Sequence, residues 1–377
     1  MRPVVFFVIN SLAGGGAERI MARLLTHSSD RTVDYDLHLI LLDEEDQAYS
    51  VPNFVTVHRL DTHRSMLAGL RGLRNLVRQH RPKMMLSFLS RSNFLAVVAA
   101  RLCGVPAVIS ERINTSSHHP TGLKGFLPRF LTRVLYPMAD KIIVVSEGLK
   151  NDLVSNYGVA PARVSVIPNP IDFELLRRQA KEGKPQAYNR YLVAMGRFVP
   201  TKNFPLLIEA YEASGLTWDL VILGDGPERG ALEALVRQRG LERRVNLPGF
   251  LENPFAIIQG AACYILSSNG EGFPNGLVEA MALGVPVIAT NCQSGPSEIL
   301  DDAAELDVTG PYRAKYGMIV PTNDLAAMTS ALADLSSSDL NEFGKDALRG
   351  ADRYSLERSV DQYWKVLESS ARQVAIR

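Results

Sequence analysis

The chain has 377 residues, 46% hydrophobic and 21% charged, the balance of a folded soluble protein, and no apolar run reaches the roughly 18 to 20 residues that a membrane span needs. That length exceeds one ordinary core and predicts two domains of roughly 170 to 190 residues with a cleft for a ligand. The net charge of +1 is unevenly spread, with 20 basic and 15 acidic side chains in residues 1–175 against 21 and 25 in the remainder, and Cys103, Cys263 and Cys292 lie too far apart for a disulfide framework or a structural zinc site.

The chain opens on an apolar stretch preceded only by Arg2 and followed by Gly14, Gly15 and Gly16 without a small-residue cleavage pattern. This reads as a first strand rather than a signal peptide, and places the protein in the cytoplasm. Short β-rich runs then alternate with amphipathic helical stretches, at residues 4–9, 37–42, 54–59, 84–88, 107–110, 141–145 and 164–167. Residues 62–139 hold twelve Lys or Arg, among them Arg64, Arg129 and Arg133, with Glu111 the one acid. Arg71, Arg74, Arg78 and Arg81 recur at helical spacing on one face, a surface that suits anionic partners or is simply a solvated basic face. Pro168 to Pro170 break the pattern, and a polar stretch at 179–189 reads as a linker. The alternation restarts at 191–195, 220–223, 244–247, 263–266, 285–289 and 317–320, and a helix over 356–370 closes the chain. The fold class is α/β, with two Rossmann-like domains at 1–178 and 179–351 and a C-terminal segment at 352–377 packing back on the first.

In open α/β sheets ligands sit beyond the carboxyl ends of the strands, so the loops there carry the chemistry. The glycine run Gly14-Gly15-Gly16 opens a helix whose amides suit a phosphate or a sugar, although it also reads as a plain tight turn. It is not the dinucleotide fingerprint, because Arg19 replaces the third glycine, and Asp43 resembles a ribose-binding acid only superficially. Asp34-Tyr35-Asp36 reads as turn and strand start. In the second half, Gly196-Arg197 to Lys202 places two cations at the start of a helix, where the dipole disfavours them; a bound anion would resolve the conflict. Residues 267–287 form a strand end, a loop and a helix start, with Glu271 and Glu279 flanking amides expected to be free at Gly276 and Leu277. With Asn275 as N-cap, Glu279 is out of register for a capping box. There is no H-E-x-x-H, P-loop or paired-cysteine pattern.

Glu271 and Glu279, with seven residues between them, and with Gly272, Phe273, Gly284, Pro286 and Val287 in place, resemble the E-x7-E signature of the retaining glycosyltransferases of family 4. Gly15, Gly16, Gly196, Arg197, Lys202, Gly224-Asp225-Gly226 and Pro248-Gly249-Phe250 stand where that family has them, so the resemblance spans the chain. It implies the GT-B fold, two Rossmann-like domains facing across a cleft, with no metal and no cofactor beyond a UDP-linked sugar donor. It further implies that Arg197 and Lys202 grip the diphosphate and that Glu271 faces the donor sugar. Glu279 would meet the ribose, Gly272 to Leu277 through Pro274, Asn275 and Gly276 would line sugar and phosphates, and Phe250 would approach the base. Pro274-Asn275 with Gly295-Pro296-Ser297-Glu298 resembles the branch that builds lipid-linked oligosaccharides and surface polysaccharides. Glu111, Arg112 and Asn114 resemble that branch's Ser-Glu-Arg segment, giving an acceptor-side or sugar-side role; His118 and His119 either contribute or are surface residues. The function so implied is retaining transfer of a hexose or N-acetylhexosamine to a lipid-linked or polysaccharide acceptor at the inner membrane surface, with no nucleic acid involved. An epimerase or hydrolase of the same architecture and a nonenzymatic sugar-nucleotide sensor are the alternatives.

Overall fold

A computed structural model describes residues 2–112, 123–183, 188–304 and 306–374, with the side chains of 123–125, 373 and 374 left aside. Two compact units emerge: Met1–Pro170 with Glu357–Arg377, and Ile171–Leu356. The expected boundary after 178 therefore moves to Pro170, and the returning segment starts at 357 rather than 352.

Unit 1 is a seven-stranded parallel sheet of β1 Val4–Ile9, β2 Asp36–Leu41, β3 Val55–Arg59, β4 Met84–Phe88, β5 Ala107–Glu111, β6 Lys141–Val144 and β7 Val164–Val166. The spatial order 3-2-1-4-5-6-7 reverses between β1 and β4, the topological switch point. The linking helices are α1 Gly16–Thr26, α2 Met66–His80, α3 Ser90–Cys103, α4 Leu123–Leu135 and α5 Glu147–Tyr157. Caps set several ends: Ser65 accepts from the Ala68 amide and Ser146 from the Leu149 amide, and α5 stops at Gly158 in the left-handed region. Phe6, Val8 and Ile40 from the strands, Leu73 and Val77 from α2, and Leu95 and Ala99 from α3 form one apolar core under the sheet.

Unit 2 repeats the plan. Its strands are β8 Tyr191–Met195, β9 Asp219–Leu223, β10 Val245–Gly249, β11 Cys263–Leu266, β12 Val287–Thr290, β13 Tyr312–Arg313 and β14 Met318–Val320, in the order 10-9-8-11-12-14-13 with the switch between β8 and β11. β13 pairs antiparallel with β14 and is two exposed residues long, too short for a periodic signal, so the sequence pattern missed it. The helices are α6 Phe173–Glu182, α7 Phe204–Ala213, α8 Arg229–Gln238, α9 Phe255–Gly260, α10 Asn275–Ala282, α11 Pro296–Asp301, α12 Leu325–Asp334 and α13 Leu340–Ala351. The expected linker does not begin at 179, because α6 runs through it. Asp172 caps α6 by accepting from the Leu175 amide, and buried Leu176 and Ala180, four apart, give it an apolar stripe. The Asn253 side chain donates to the Gln179 carbonyl at 2.7 Å.

The last helix, α14 Leu356–Val374, packs on unit 1 as expected. Trp364 is its anchor, fully buried, stacked on Tyr35 at 5.4 Å, edge-on to Phe7, and donating from Nε1 to Ser28 Oγ at 2.8 Å. Tyr35, in the Asp34-Tyr35-Asp36 segment, thus serves packing, and Asp36 starts β2. Among the described residues no helix is long and apolar enough to cross a membrane. Trp364→Ala removes a large buried aromatic and the bond that Ser28 Oγ accepts, while the Ser28 hydroxyl keeps its own donation to the Leu24 carbonyl. It should cost about 3–5 kcal/mol, lowering the denaturant midpoint followed by circular dichroism, with Trp364→Phe closer to the parent; an unchanged midpoint for Trp364→Ala would remove the anchoring role.

Candidate active site

The two loops singled out in the second half are the two that leave β8 and β11, so they flank the switch point of unit 2. After β8 the chain passes Gly196 and Arg197, makes a short 3-10 turn over Pro200–Lys202, and enters α7 through Asn203 in the left-handed region. After β11 it runs from Ser267 to Pro274 and enters α10.

Backbone and side-chain bonds sew these loops together. Ser267 Oγ donates to the Lys202 carbonyl at 2.8 Å, the Asn269 amide to the Thr201 carbonyl at 2.8 Å, and Asn203 Nδ2 to Asn269 Oδ1 at 3.2 Å. Across this seam Lys202 Nζ meets Glu271 Oε1 at 2.5 Å, and Ser268 Oγ donates to the same oxygen at 2.6 Å. The carboxylate side chain is 9% exposed and the ammonium 23%, so the pair is largely withdrawn from water and weakly screened. The charge on Lys202 is thus answered by Glu271 within the protein, where a bound anion was expected to resolve the conflict. The aliphatic part of Lys202 lies over Gly196, whose missing side chain leaves that room.

The Arg197 residue, by contrast, is exposed, and its side chain makes no hydrogen bond or ion pair among the described residues, leaving a full cationic fork on the same loop. Phe250, in the loop after β10, is 75% exposed. Gly272 is half-buried, and Phe273 is buried with its ring edge-on to Tyr354 at 5.5 Å, which fixes the loop. Pro274 is the residue before α10, and Asn275 is its first residue. The capping-box acid would then belong at 277, which is Leu277, so Glu279 serves no such cap. Of the two amides expected to be free, Leu277 donates to the Pro274 carbonyl at 3.1 Å and is already spent. Gly276 shows no such acceptor, and it must be glycine for another reason: a Cβ there would stand 2.5 Å from the Tyr264 hydroxyl. Glu279 is buried at 7% exposure in α10. Burial pushes the Tyr264 phenol well up, and the nearby Glu271 and Glu279 carboxylates push it further, which places both acids around one buried hydroxyl.

Three neighbours carried no motif in the sequence. Ser268 holds Glu271, Thr290 Oγ1 donates to the Ser268 carbonyl at 2.5 Å, and Cys292 lies against the pair. Burial pushes the Cys292 thiol up to about 12, with Glu271 adding to it and Lys202 offsetting it, so it is a packed neutral thiol. Only their position after strand ends could have marked them.

In unit 1 the polar residues at the carboxyl ends of the strands are lined with internal partners. A Cβ at Gly15 would stand 2.1 Å from Glu18 Oε2, so the glycine leaves room for the first-turn carboxylate of α1 to fold over that end. Gly16 begins the helix with open space beside it. Asp43, the superficial ribose acid, is 7% exposed and binds the Arg91 guanidinium, Thr62 Oγ1 at 2.8 Å and the Arg64 amide at 2.9 Å. Burial alone would raise its pKa, but these donors outweigh burial and hold it below the usual carboxylate range. Glu111 is likewise buried, accepting from the Tyr136 hydroxyl, from Ser90 Oγ and from the Arg112 amide. Arg112 spans Tyr363 of α14 at 2.8 Å, Asn169, and the Phe88 ring 4.9 Å away. Both residues are occupied by the packing of unit 1. Asn114, His118 and His119 lie outside the described residues.

A cation–carboxylate pair and a glycine-spaced helix start thus stand together at the switch point of a doubly wound sheet. Comparison with known proteins shows the family. The family described as Glycosyltransferase Family 4 matches residues 14–175, and Glycosyl transferases group 1 matches residues 189–338. The chain belongs to the family 4 glycosyltransferases of GT-B fold. It is 29% identical, over 88% of its length and 89% of the other protein, to the N-acetylgalactosamine-N,N'-diacetylbacillosaminyl-diphospho-undecaprenol 4-alpha-N-acetylgalactosaminyltransferase of Campylobacter jejuni. It is 26% identical, over 92% of both chains, to the GalNAc-alpha-(1->4)-GalNAc-alpha-(1->3)-diNAcBac-PP-undecaprenol alpha-1,4-N-acetyl-D-galactosaminyltransferase of the same organism. In fold it is similar to Anabaena HepE in complex with UDP, with a TM-score of 0.76 at 18% identity over 98% of this chain and all of that one.

Lys202 and Glu271 should behave as one unit. Removing the ammonium in Lys202→Met leaves a nearly buried carboxylate with Ser268 as its remaining donor among the contacts described above, and should cost about 1–3 kcal/mol. The double variant Lys202→Met/Glu271→Gln should recover part of that loss in a thermal or urea titration. Strict additivity would dissolve the pair.

Proposed function

We propose that the protein is a retaining glycosyltransferase that moves a hexose or N-acetylhexosamine from a UDP-sugar to a hydroxyl of a lipid-linked or polysaccharide glycan. The single observation that carries this reading is the Lys202–Glu271 pair at the unit 2 switch point, with the unengaged Arg197 fork on the same loop and the Gly276 amide at the start of α10. Both Campylobacter relatives are named for N-acetylgalactosamine transfer to an undecaprenol-diphosphate glycan, and the HepE structure holds UDP, which supports a nucleotide-sugar donor and a lipid-linked acceptor.

In this reading the bond from the sugar anomeric carbon to the diphosphate breaks while an acceptor oxygen bonds to the same face of that carbon, and the acceptor proton passes to the departing phosphate. Arg197 grips the diphosphate in a forked geometry, Lys202 supplies a point charge, and the Gly276 amide donates to a phosphate oxygen. These groups meet the developing negative charge, so the reaction needs no metal ion. Glu271, held by Ser268 and Lys202, accepts from donor-sugar hydroxyls, Glu279 faces the ribose, and Phe250 offers a face to the base. Gly15 and Gly16, at the start of α1, bind the donor through helix-end amides that suit its phosphate or sugar.

A membrane-linked acceptor also fits α4. Phe126, Leu127, Phe130 and Val134 all stand exposed on it, Phe126 and Phe130 stack 6.2 Å apart, and Arg129 and Arg133 lie beside them. This apolar ridge with its flanking arginines suits the anionic inner face of a bilayer, as do exposed Arg71, Arg78 and Arg81 around α2.

Arg197→Ala should lower turnover by about 10² to 10³ while leaving the melting temperature unchanged, and product analysis should give the donor's anomeric configuration. Full activity in that variant, or an inverted product, would overturn the scheme. Product formed without any acceptor would point to the epimerase or hydrolase instead. The double variant Phe126→Asp/Phe130→Asp should lose co-sedimentation with anionic vesicles and keep its melting temperature; vesicle binding equal to the parent would remove the membrane surface from α4.

A further inference from the structure

Three histidines that no motif drew together meet on the edge of the unit 1 sheet. His38 lies on β2, His58 on β3 and His80 is the last residue of α2. Parallel pairing sets Phe6 beside His38 and Ile40 beside His58, and residues two apart on a strand share a face, so Phe6, His38 and His58 point to one side of the sheet. That is the side α2 covers, as Leu73 and Val77 in the same core show. α2 runs back against the strands, and its end brings a third imidazole onto the other two. Ring centroids stand 5.0 Å apart for His38 and His58, 5.0 Å for His38 and His80, and 5.1 Å for His58 and His80, with Phe6 stacked on His38 at 5.8 Å.

One nitrogen from each ring lies within 4.8 Å of the other two. His58 Nε2 and His38 Nδ1 are 3.0 Å apart and share a single proton, so in the neutral state one of them presents only a lone pair. A tetrahedral ion with bonds of roughly 2.0 to 2.1 Å holds its nitrogen ligands about 3.3 Å apart, so ring rotations of modest size convert the cluster into a ligand set. His38 is buried while His58 and His80 are half-buried, which leaves a side open for entry and for a water ligand. Burial and the neighbouring rings lower the pKa of His38 to about 4 and lower that of His58 as well, keeping them in the neutral form that binds metals. The carbonyl end of α2 adds a partial negative charge beside the cluster.

We propose that His38, His58 and His80 bind one divalent transition-metal ion of the zinc class, which ties β2, β3 and the end of α2 together. All-imidazole ligation suits zinc and its neighbours rather than magnesium or calcium. His80 closes α2, His38 is mid-strand on β2 and His58 is the penultimate residue of β3, so the cluster lies on the sheet face that α2 covers rather than in the loops after the strands, and the ion is a structural clasp on unit 1. It has no part in the sugar-transfer chemistry proposed above and stands or falls separately from it.

The test uses the full-length chain without a polyhistidine tag, freed of metal with a chelator and titrated with Co²⁺, whose visible bands report tetrahedral ligation, followed by displacement with Zn²⁺. One equivalent is expected to bind, and Zn²⁺ is expected to raise the melting temperature. His80→Ala, at the half-buried end of a helix, should weaken binding by more than the roughly 10- to 100-fold that loss of an outer-shell partner costs, and should abolish the Zn²⁺-dependent shift; His80→Gln provides the same readout with a polar side chain retained. Absence of Co²⁺ uptake by the parent would overturn the proposal. So would uptake unchanged in both variants, which would place the ion on other histidines such as His118 and His119.

Discussion

The ion pair between Lys202 and Glu271 is the constraint on which the candidate site of unit 2 depends. Two loops leave the sheet of unit 2 in opposite directions at the switch point, and nothing in their local sequence obliges them to meet. The pair joins them across a 2.5 Å contact, Ser268 fixes the carboxylate from the other side, and the backbone bonds from Ser267 and Asn269 hold the register of the seam. A charge pair this withdrawn from water is weak evidence of net stability, because desolvation opposes the attraction. Its value lies in geometry: it fixes an ammonium and a carboxylate at one edge of the place where a phosphorylated sugar is expected, leaving Arg197 on the same loop uncommitted.

The two units share a topology but use the loops at the carboxyl ends of their strands differently. In unit 2 the loops present an exposed guanidinium and an exposed aromatic ring. In unit 1 the corresponding polar residues are largely turned inward: Asp43 on Arg91 and Thr62, Glu111 on Tyr136 and Ser90, Arg112 on Tyr363 and Asn169. Arg112 therefore links the end of β5 to the C-terminal helix, and with Trp364 it explains why the last segment of the chain belongs to the first unit. What unit 1 offers outward is charge and apolar surface, the arginines around α2 and the phenylalanines of α4.

Much of the fold could be read before any coordinates. Strands such as 4–9, 84–88, 191–195 and 263–266 match to the residue, because buried parallel strands are short apolar runs bounded by breakers. The linker was misplaced because a polar, glycine-containing stretch outweighed the Leu176–Ala180 stripe, and that stripe is only decisive once α9 is there to cover it. The helix start at Asn275 was placed one residue late, which is why the Leu277 amide was counted as free when the Pro274 carbonyl takes it. Local pattern sets periodicity well and termini poorly.

By itself, then, the sequence determined that the chain is a doubled α/β protein, which loops follow which strands, and that cations and acids gather in two of them, because periodicity and loop chemistry are properties of neighbours along the chain. The tertiary structure decided which of those charges satisfy one another. Whether Lys202 faces solvent or Glu271, whether Glu111 is presented or buried, and whether His38, His58 and His80 are strangers or a cluster are all set by how sheets order their strands and where helices end. Pairing between residues tens of positions apart leaves no periodic trace in a single chain, so those contacts become visible only when the strands lie side by side.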